Sequence, residues 1–441
     1  MSIGIKIKKG LDLHLEGAVS DPLDVIECPA ATVAVIPDDF EGFVPKMDVR
    51  EGDHVLAGQP LMHHKLSEQI KLVSPAEGTV KAVVRGERRK IERVVVKADG
   101  TSEALRLDAS MPVRELLCAS GMLVRMRRRP YDIVPRPDES PRDIFVTAID
   151  DAPLAAGFSL PSDAAEMLAA GAKALSSLTE GKVYVSVAPG SPYGGIAGAE
   201  TVEVTGPYPA GNAGVQAANI APVSKGEAVW TLDIATLYKI GVLTTGGTVD
   251  THTVVAVTGS ELTAPYLASC AEGIEIKALL EGRVKDTPSH KRIISGNVLT
   301  GTKVGPDAFL RFPFRQVTVI PEGDDVDEFM GWASLSPRKM SESRTFPGHF
   351  FGRAFAPDAR LHGGRRAMIM SGQYDKALPM DIMLEYLVKA ILGGDIEAME
   401  DLGIYEIAPE DVAAAEYVDT SKLPLQRIIR QGLDTIRKEL E

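Results

Sequence analysis

Residues 46–97 constrain the fold more tightly than any other stretch of this chain. Val49-Arg50-Glu51-Gly52-Asp53-His54-Val55-Leu56-Ala57-Gly58-Gln59-Pro60-Leu61 sets short apolar runs between glycine turns. Ser74-Pro75-Ala76-Glu77-Gly78-Thr79-Val80 opens a second half of similar rhythm, which ends in Val94-Val95-Val96. Runs this short, broken by Gly and Pro, predict a small β-structure. Two half-motifs in tandem predict a pseudo-twofold. His63 and His64 are adjacent, so on a strand they point to opposite faces and form no chelating pair. The eight histidines of the chain show no metal-ligand spacing, and no metal site is expected.

This pattern resembles the barrel-sandwich hybrid of biotinyl and lipoyl carrier domains. In those carriers a lysine at the hairpin tip between the halves is modified. The connecting piece here is His63 to Val73, and Lys65 is the nearest match. It stands farther from Ser74-Pro75 than the carriers' lysine does, and it lacks their Asp-Lys-Ala or Met-Lys-Met setting. The fold is therefore expected without the modification.

A length of 441 residues suggests about three domains. The net charge of −13 argues against nucleic acid as a partner. Cys28, Cys118 and Cys270 are far apart and form no C-x-x-C, so neither a disulfide framework nor a cysteine metal site is signalled. Lys6, Lys8 and Lys9 near the start have no apolar run behind them, so no signal peptide is expected. No stretch approaches the roughly 18 apolar residues of a membrane span. A soluble chain follows, which reaches a membrane only through other subunits or its surface.

Residues 112–122 read as a helix, followed by the basic run Arg125-Met126-Arg127-Arg128-Arg129-Pro130-Tyr131. That run is a solvated face, an anion-binding surface or a set of donors to a ligand. Asp143–Ile149 reads as a buried strand, Ser162–Thr179 as a helix capped by Ser162, and Lys182–Val187 as a second strand. Strand, helix, strand predicts a parallel α/β layer. Ligands in such layers sit at the carboxyl ends of strands, which singles out Asp150 and Asp151. No G-x-G-x-x-G follows a strand, so the dinucleotide fingerprint is missing.

The stretch from Thr205 to Gly259 divides the chain. It holds a Gly/Pro loop, Gly206 to Gly211, then Trp230 in a turn, a helix-like run Asp233–Ile240 and a β-rich run His252–Thr258. The loop, with Gly206, Tyr208 and Gly211, is either a rigid connection around a packed tyrosine or a surface shaped for a ligand or partner. Residues 251–321 suit a β-grasp domain. Pro379–Leu392, Asp395–Leu402, Pro409–Tyr417 and Leu425–Leu440 read as amphipathic helices, with Gly393-Gly394 as a helix stop. The expected architecture is multidomain α/β (α+β). It comprises a barrel-sandwich hybrid with its N-terminal segment (1–110), a Rossmann-like α/β domain (111–250), a β-grasp domain (251–323) and a C-terminal helical bundle (324–441).

Seven stretches carry a resemblance across nearly the whole chain. They are KKGLDL at Lys8–Leu13, FVTAIDDAPLA at Phe145–Ala155, GKVYV at Gly181–Val185, GPYPAGNAG at Gly206–Gly214, RIISGNVLTGTK at Arg292–Lys303, RTFPGHFF at Arg344–Phe351 and YDKALPMDI at Tyr374–Ile382. Together they resemble the A subunit of the bacterial Na+-translocating NADH:quinone reductase. The resemblance implies a peripheral subunit on the cytoplasmic face of an inner-membrane complex, soluble when isolated. Its partners would be the other subunits, above all the quinone- or flavin-bearing membrane subunit. It also implies distant kinship to the flavoprotein subunit of respiratory complex I and to the C subunit of Rnf-type complexes. The flavin-binding kin carry a G-x-G-G-A-G-F-P loop where this chain has Ser120-Gly121-Met122-Leu123-Val124-Arg125. They place cluster cysteines where this chain has Ala413 to Asp419. A flavin phosphate needs small residues with free amides, and an iron–sulfur cluster needs thiolates. The chain is thus expected to carry no FMN, no iron–sulfur cluster and no catalytic residue of its own, with quinone as the substrate it helps to bind.

A quinone slot needs an apolar, aromatic wall and a few donors. Phe40 and Phe43 supply aromatics, and Arg127, Arg129 and Tyr131 supply donors, on two segments that each lead into a domain. Three functions stay open: quinone binding within an electron-transfer complex, a purely structural capping role, and a carrier using Lys65.

Overall fold

The computed structural model describes the chain except residues 1–2, 21–23, 101–102, 327–328, 330–332, 341–344, 352 and 441. Arg344, the first residue of the RTFPGHFF stretch, lies outside the described residues.

The tandem β motif folds into two small sheets. One orders Thr32–Val35, Ile91–Ala98, Gly78–Arg85 and His54–Val55; the other orders Pro45–Met47, Pro60–His64 and Ser67–Val73. Val33, Leu61, Met62, Val94 and Val96 fill the space between them and are fully buried. The piece from Lys65 to Val73, read as an extended linker, is instead a hairpin arm. Lys65 and Leu66 form its turn, and Ser67–Val73 pairs back on Pro60–His64. His63 and His64 find different partners, Asp48 and the Gly42 carbonyl.

The α/β layer is a six-stranded sheet. Its spatial order is Ile3–Lys6, Glu200–Thr205, Val183–Val187, Ile144–Thr147, Val229–Asp233 and Arg127–Arg129. All neighbours run parallel except the last pair, which is antiparallel. Trp230 lies in a central strand and not in a turn, and it is completely buried. Strands covered on both faces read as continuous apolar runs, so alternation gives no sign of them. The helix expected from Ser162 runs from Ala164 to Ser176, and Asp163 precedes it without a side-chain capping bond. It packs with Ile234–Gly246 on one face of the sheet, while Ala213–Ile220 covers the other.

A mixed fourth sheet orders Thr302–Val304, Lys291–Ser295, Gln316–Pro321, His252–Thr258, Tyr266–Ala271 and Val25–Glu27. The helix Ile276–Leu280 packs into its apolar core. The N-terminal segment therefore supplies an edge strand to two different sheets, which no local pattern announces. At the other end Leu384–Gly393, Ile396–Asp401, Ala413–Val418 and Leu425–Leu440 form a helical unit around Leu387, Val388, Ile404, Val412, Ile429 and Leu433. The first of these begins five residues later than read from the sequence. Gly394 stops it in the left-handed conformation at φ 71°, where a side chain would be strained. Among the described residues no helix is long and apolar enough to cross a membrane.

Candidate functional site

The α/β sheet grows in two directions from Ile144–Thr147, towards Val183–Val187 on one side and Val229–Asp233 on the other. The carboxyl ends of Ile144–Thr147 and Val229–Asp233, at this switch point, mark the crevice where open α/β sheets receive ligands. Asp150 follows one end and Asp233 closes the other, where it also caps the next helix by accepting from Thr236 N at 2.7 Å. The Arg315 guanidinium stands between them, 3.5 Å from each carboxylate, and lies 3.9 Å from the Phe158 ring centroid.

Beside this point a cleft, partly open to solvent, opens where three modules converge. Ile36, Asp39 and Phe40 line it from the N-terminal module, Val124, Arg125 and Lys239 from the α/β layer, and Leu310 to Arg315 from the β-grasp side. Phe40 and Phe312, both lining it, stack on one another, with ring centroids 4.9 Å apart and planes 13° from parallel. Arg125 and Arg127 flank the same Phe312 ring at 5.6 and 6.0 Å.

Two ion-pair systems brace the walls. Asp39 accepts from Arg311 Nε at 2.6 Å and from Phe312 N at 3.0 Å, and its carbonyl accepts from Arg127 Nη2 at 2.7 Å. Burial pushes the Asp39 carboxyl up to about 6, against the pull of Arg311. Glu272 accepts from both Arg125 terminal nitrogens and, at 2.6 Å, from Lys239 Nζ. Burial works to raise Glu272 as well, but Arg125 and Lys239 outweigh it and hold the group at about 2. The two carboxylates therefore shift in opposite directions: burial outweighs Arg311 and Arg127 at Asp39, while Arg125 and Lys239 outweigh burial at Glu272. Arg127 Nη1 and Arg315 Nε are buried and donate no hydrogen bond among the described residues.

The five residues expected to line one slot are divided. Phe40 lines the cleft and Arg127 stands at its Phe312 wall. Phe43 packs in the barrel core with its ring edge-on to His64. Arg129 is only 2% exposed and faces away, donating to Asp411 at 2.7 Å and to Glu410 at 3.0 Å. Tyr131 is buried in the core shared with the C-terminal helices, and its carbonyl accepts from Arg430. Both are buried and line no part of the cleft, which separates Arg129 and Tyr131 from it.

The Gly206–Gly211 loop is interior from Tyr208 to Gly211, while Gly206 is exposed. Tyr208 is buried, its N–H donates to Asp12, and its carbonyl accepts from Leu11 N. Gly211 N donates to Asp151 at 2.8 Å, and a Cβ there would come within 2.4 Å of the same carboxylate. Burial pushes Asp151 up to about 6 even though that bond favours the ionised form. Residues that the sequence reading missed include Arg311, Phe312 and Arg315. Their signal was present in Arg311-Phe312-Pro313-Phe314-Arg315, two cations framing two aromatics.

Three family models match this chain in succession. They are the NqrA N-terminal barrel-sandwich hybrid domain over residues 5–99, the NqrA second alpha/beta domain over 109–249 and the NQRA C-terminal domain over 254–305. Curated relatives extend the likeness to the full length. The A subunit of Na(+)-translocating NADH-quinone reductase from Serratia proteamaculans is 37% identical over 99% of this chain and 100% of its own. The proteins of the same name from Pasteurella multocida and Neisseria meningitidis serogroup B are 37% and 35% identical, with the same coverage. The chain belongs to this family.

That membership accounts for the order of modules along the chain: barrel-sandwich hybrid, α/β layer, β-grasp sheet, helices. Among solved structures, an NAD+-reducing NiFe hydrogenase in the H2-reduced state aligns with 49% of this chain and 48% of its own. The TM-score is 0.33 at 12% identity, too low to carry an argument.

Proposed function

We propose that this chain works as the A subunit of a Na+-translocating NADH:quinone reductase, as its relatives are named, and that it contributes a quinone-binding cleft without carrying a redox cofactor. The observation that carries the quinone reading is the Phe40–Phe312 stack bordered by Arg125, Arg127, Arg311 and Arg315. A quinone headgroup is a flat apolar ring with two carbonyl acceptors. Aromatic walls bury the ring, and guanidinium donors meet the oxygens, more strongly as reduction makes them negative. Arg127 Nη1 is buried with no hydrogen-bond acceptor among the described residues, a donor in need of one.

The cofactor-free reading is supported by how the chain fills the place of a flavin loop. Met122, Leu123 and Val124 are buried in the core there, and Arg125 is committed to Glu272. Bulky side chains thus occupy the room that a phosphate cradle would need. Cys28, Cys118 and Cys270 are dispersed, and no group of residues suited to a metal ion occurs among the described residues. The purified protein is therefore expected to be colourless; stoichiometric FMN, or iron with labile sulfide, overturns that reading.

A short-chain ubiquinone analogue titrated against the full chain, followed by calorimetry, tests the cleft. Phe312→Ala and Arg315→Gln should each weaken binding about tenfold or more while leaving the fold intact. Unchanged affinity in both folded variants leaves the structural capping role in its place.

A further inference from the structure

A second feature lies away from the cleft. Between Asp324 and Gly372 the described backbone holds one short 3-10 helix, Pro347–Phe350, and isolated bridges, with no α-helix or multi-residue strand. Large apolar side chains on this stretch face water: Leu335 is 90% exposed, Phe350 83%, Leu361 53% and Phe351 49%.

Internal contacts tie parts of this stretch to one another. Arg353 Nη2 donates to the Pro337 carbonyl at 2.6 Å, and its guanidinium sits 5.8 Å from the Phe351 ring centroid. Lys339 lies over Phe346, which is buried and meets His362 edge-on. Phe355 anchors the stretch to the N-terminal segment through backbone bonds with His14 and Glu16. The stretch is thus tied down and not a loose tail. Several large apolar side chains exposed on one such stretch point to an interaction site.

Charge narrows the occupant. From Leu335 to Met370 the sequence carries seven Lys and Arg against Glu342 and Asp358, in a chain whose net charge is −13. Arg338, Arg353, Arg365 and Arg366 are exposed. The covering surface should be acidic at its rim and apolar at its centre. Two acidic surfaces are available to a member of a membrane complex, a lipid headgroup layer and another polypeptide. Lipid surfaces are typically met by amphipathic helices, and irregular backbone sinks into hydrocarbon only at a large cost in unpaired amides. A protein face can hydrogen-bond such backbone.

We propose that Leu335, Phe350, Phe351 and Leu361, on the same stretch as the exposed Arg338, Arg353 and Arg365, form the surface on which another subunit of the complex docks, through an acidic face with an apolar centre. The proposal uses the family membership and is independent of quinone binding.

The test co-expresses the whole complex with a tag on this chain and measures how much of each other subunit co-purifies in mild detergent. Leu335→Ser with Phe350→Ser should lower recovery about tenfold or more, as loss of central apolar anchors does. Arg338→Glu with Arg365→Glu should lower it too, and wild-type recovery should fall as salt rises. Both pairs lie on the surface, so thermal unfolding and quinone affinity should match wild type. Full recovery of the complex with both folded double variants overturns the proposal. So does flotation of the isolated wild-type chain with phosphatidylglycerol vesicles that the serine variant loses, which makes lipid the occupant. A wild-type dimer in sedimentation that the serine variant abolishes overturns it as well, by making the occupant a second copy of this chain.

Discussion

Two seams between modules use the same chemistry to opposite ends. At the seam with the C-terminal helices, Arg129 meets Asp411, which is completely buried and also accepts from Ala408 N. Tyr131, Tyr208 and Tyr374 fill the space around that seam and leave no room. At the seam between the N-terminal module and the β-grasp side, Asp39 clasps Arg311 just as closely, yet an open cleft lies beside the pair. An arginine–carboxylate pair therefore does not mark a site. What separates the two seams is whether side chains or solvent occupy the adjoining volume.

The sharpest way to break this comparison is to cut the closed seam. Asp411→Ala removes the fully buried partner of Arg129, leaves it only the half-exposed Glu410, and should cost about 3–5 kcal/mol of stability, read from urea unfolding. A well-folded variant with unchanged stability would mean that water reaches Arg129 and that the seam is open after all.

Glu272 offers a second test, by pH. Its folded-state value, about 2, lies below the usual 4.5, so it adds stability that is complete above about pH 4.5 and fades as pH falls towards 2. The difference between wild type and Glu272→Gln should follow that course, on the order of 3 kcal/mol at neutral pH. Asp39 has the reverse sign. Its raised value means that ionisation is resisted, so its contribution falls as pH rises from about 4 to 6. Asp39→Asn should flatten stability in that window.

Arg127→Ala sharpens the contrast between neighbours on one strand. It should weaken quinone binding by roughly 1.5–3 kcal/mol, about tenfold to a hundredfold, with little effect on stability. Arg129→Lys, by contrast, should act on stability and leave the affinity of the folded protein alone. The smallest expected effect is none at all. Expressed beside active lipoyl and biotinyl ligases, the chain should keep its unmodified mass, although Lys65 stands exposed at a hairpin turn. Added mass at Lys65 would reinstate the carrier reading.

What the sequence determined by itself is local and periodic. Gly52, Gly58 and Pro60 punctuate the small β module, and the spacing of Leu384, Leu387, Val388 and Ile391 announces a helix, because turns and amphipathic faces are written within a few residues. The family stretches are equally a property of the string of residues. Only the tertiary structure decided that Ile3–Lys6 and Val25–Glu27 extend two different sheets, since strands pair in parallel with partners far along the chain. It also decided that Arg127 reaches Phe312 while Arg129 reaches Asp411, separated from them by 185 and 282 positions. A side chain's neighbours across such distances follow from how whole modules pack, and no local spacing encodes them.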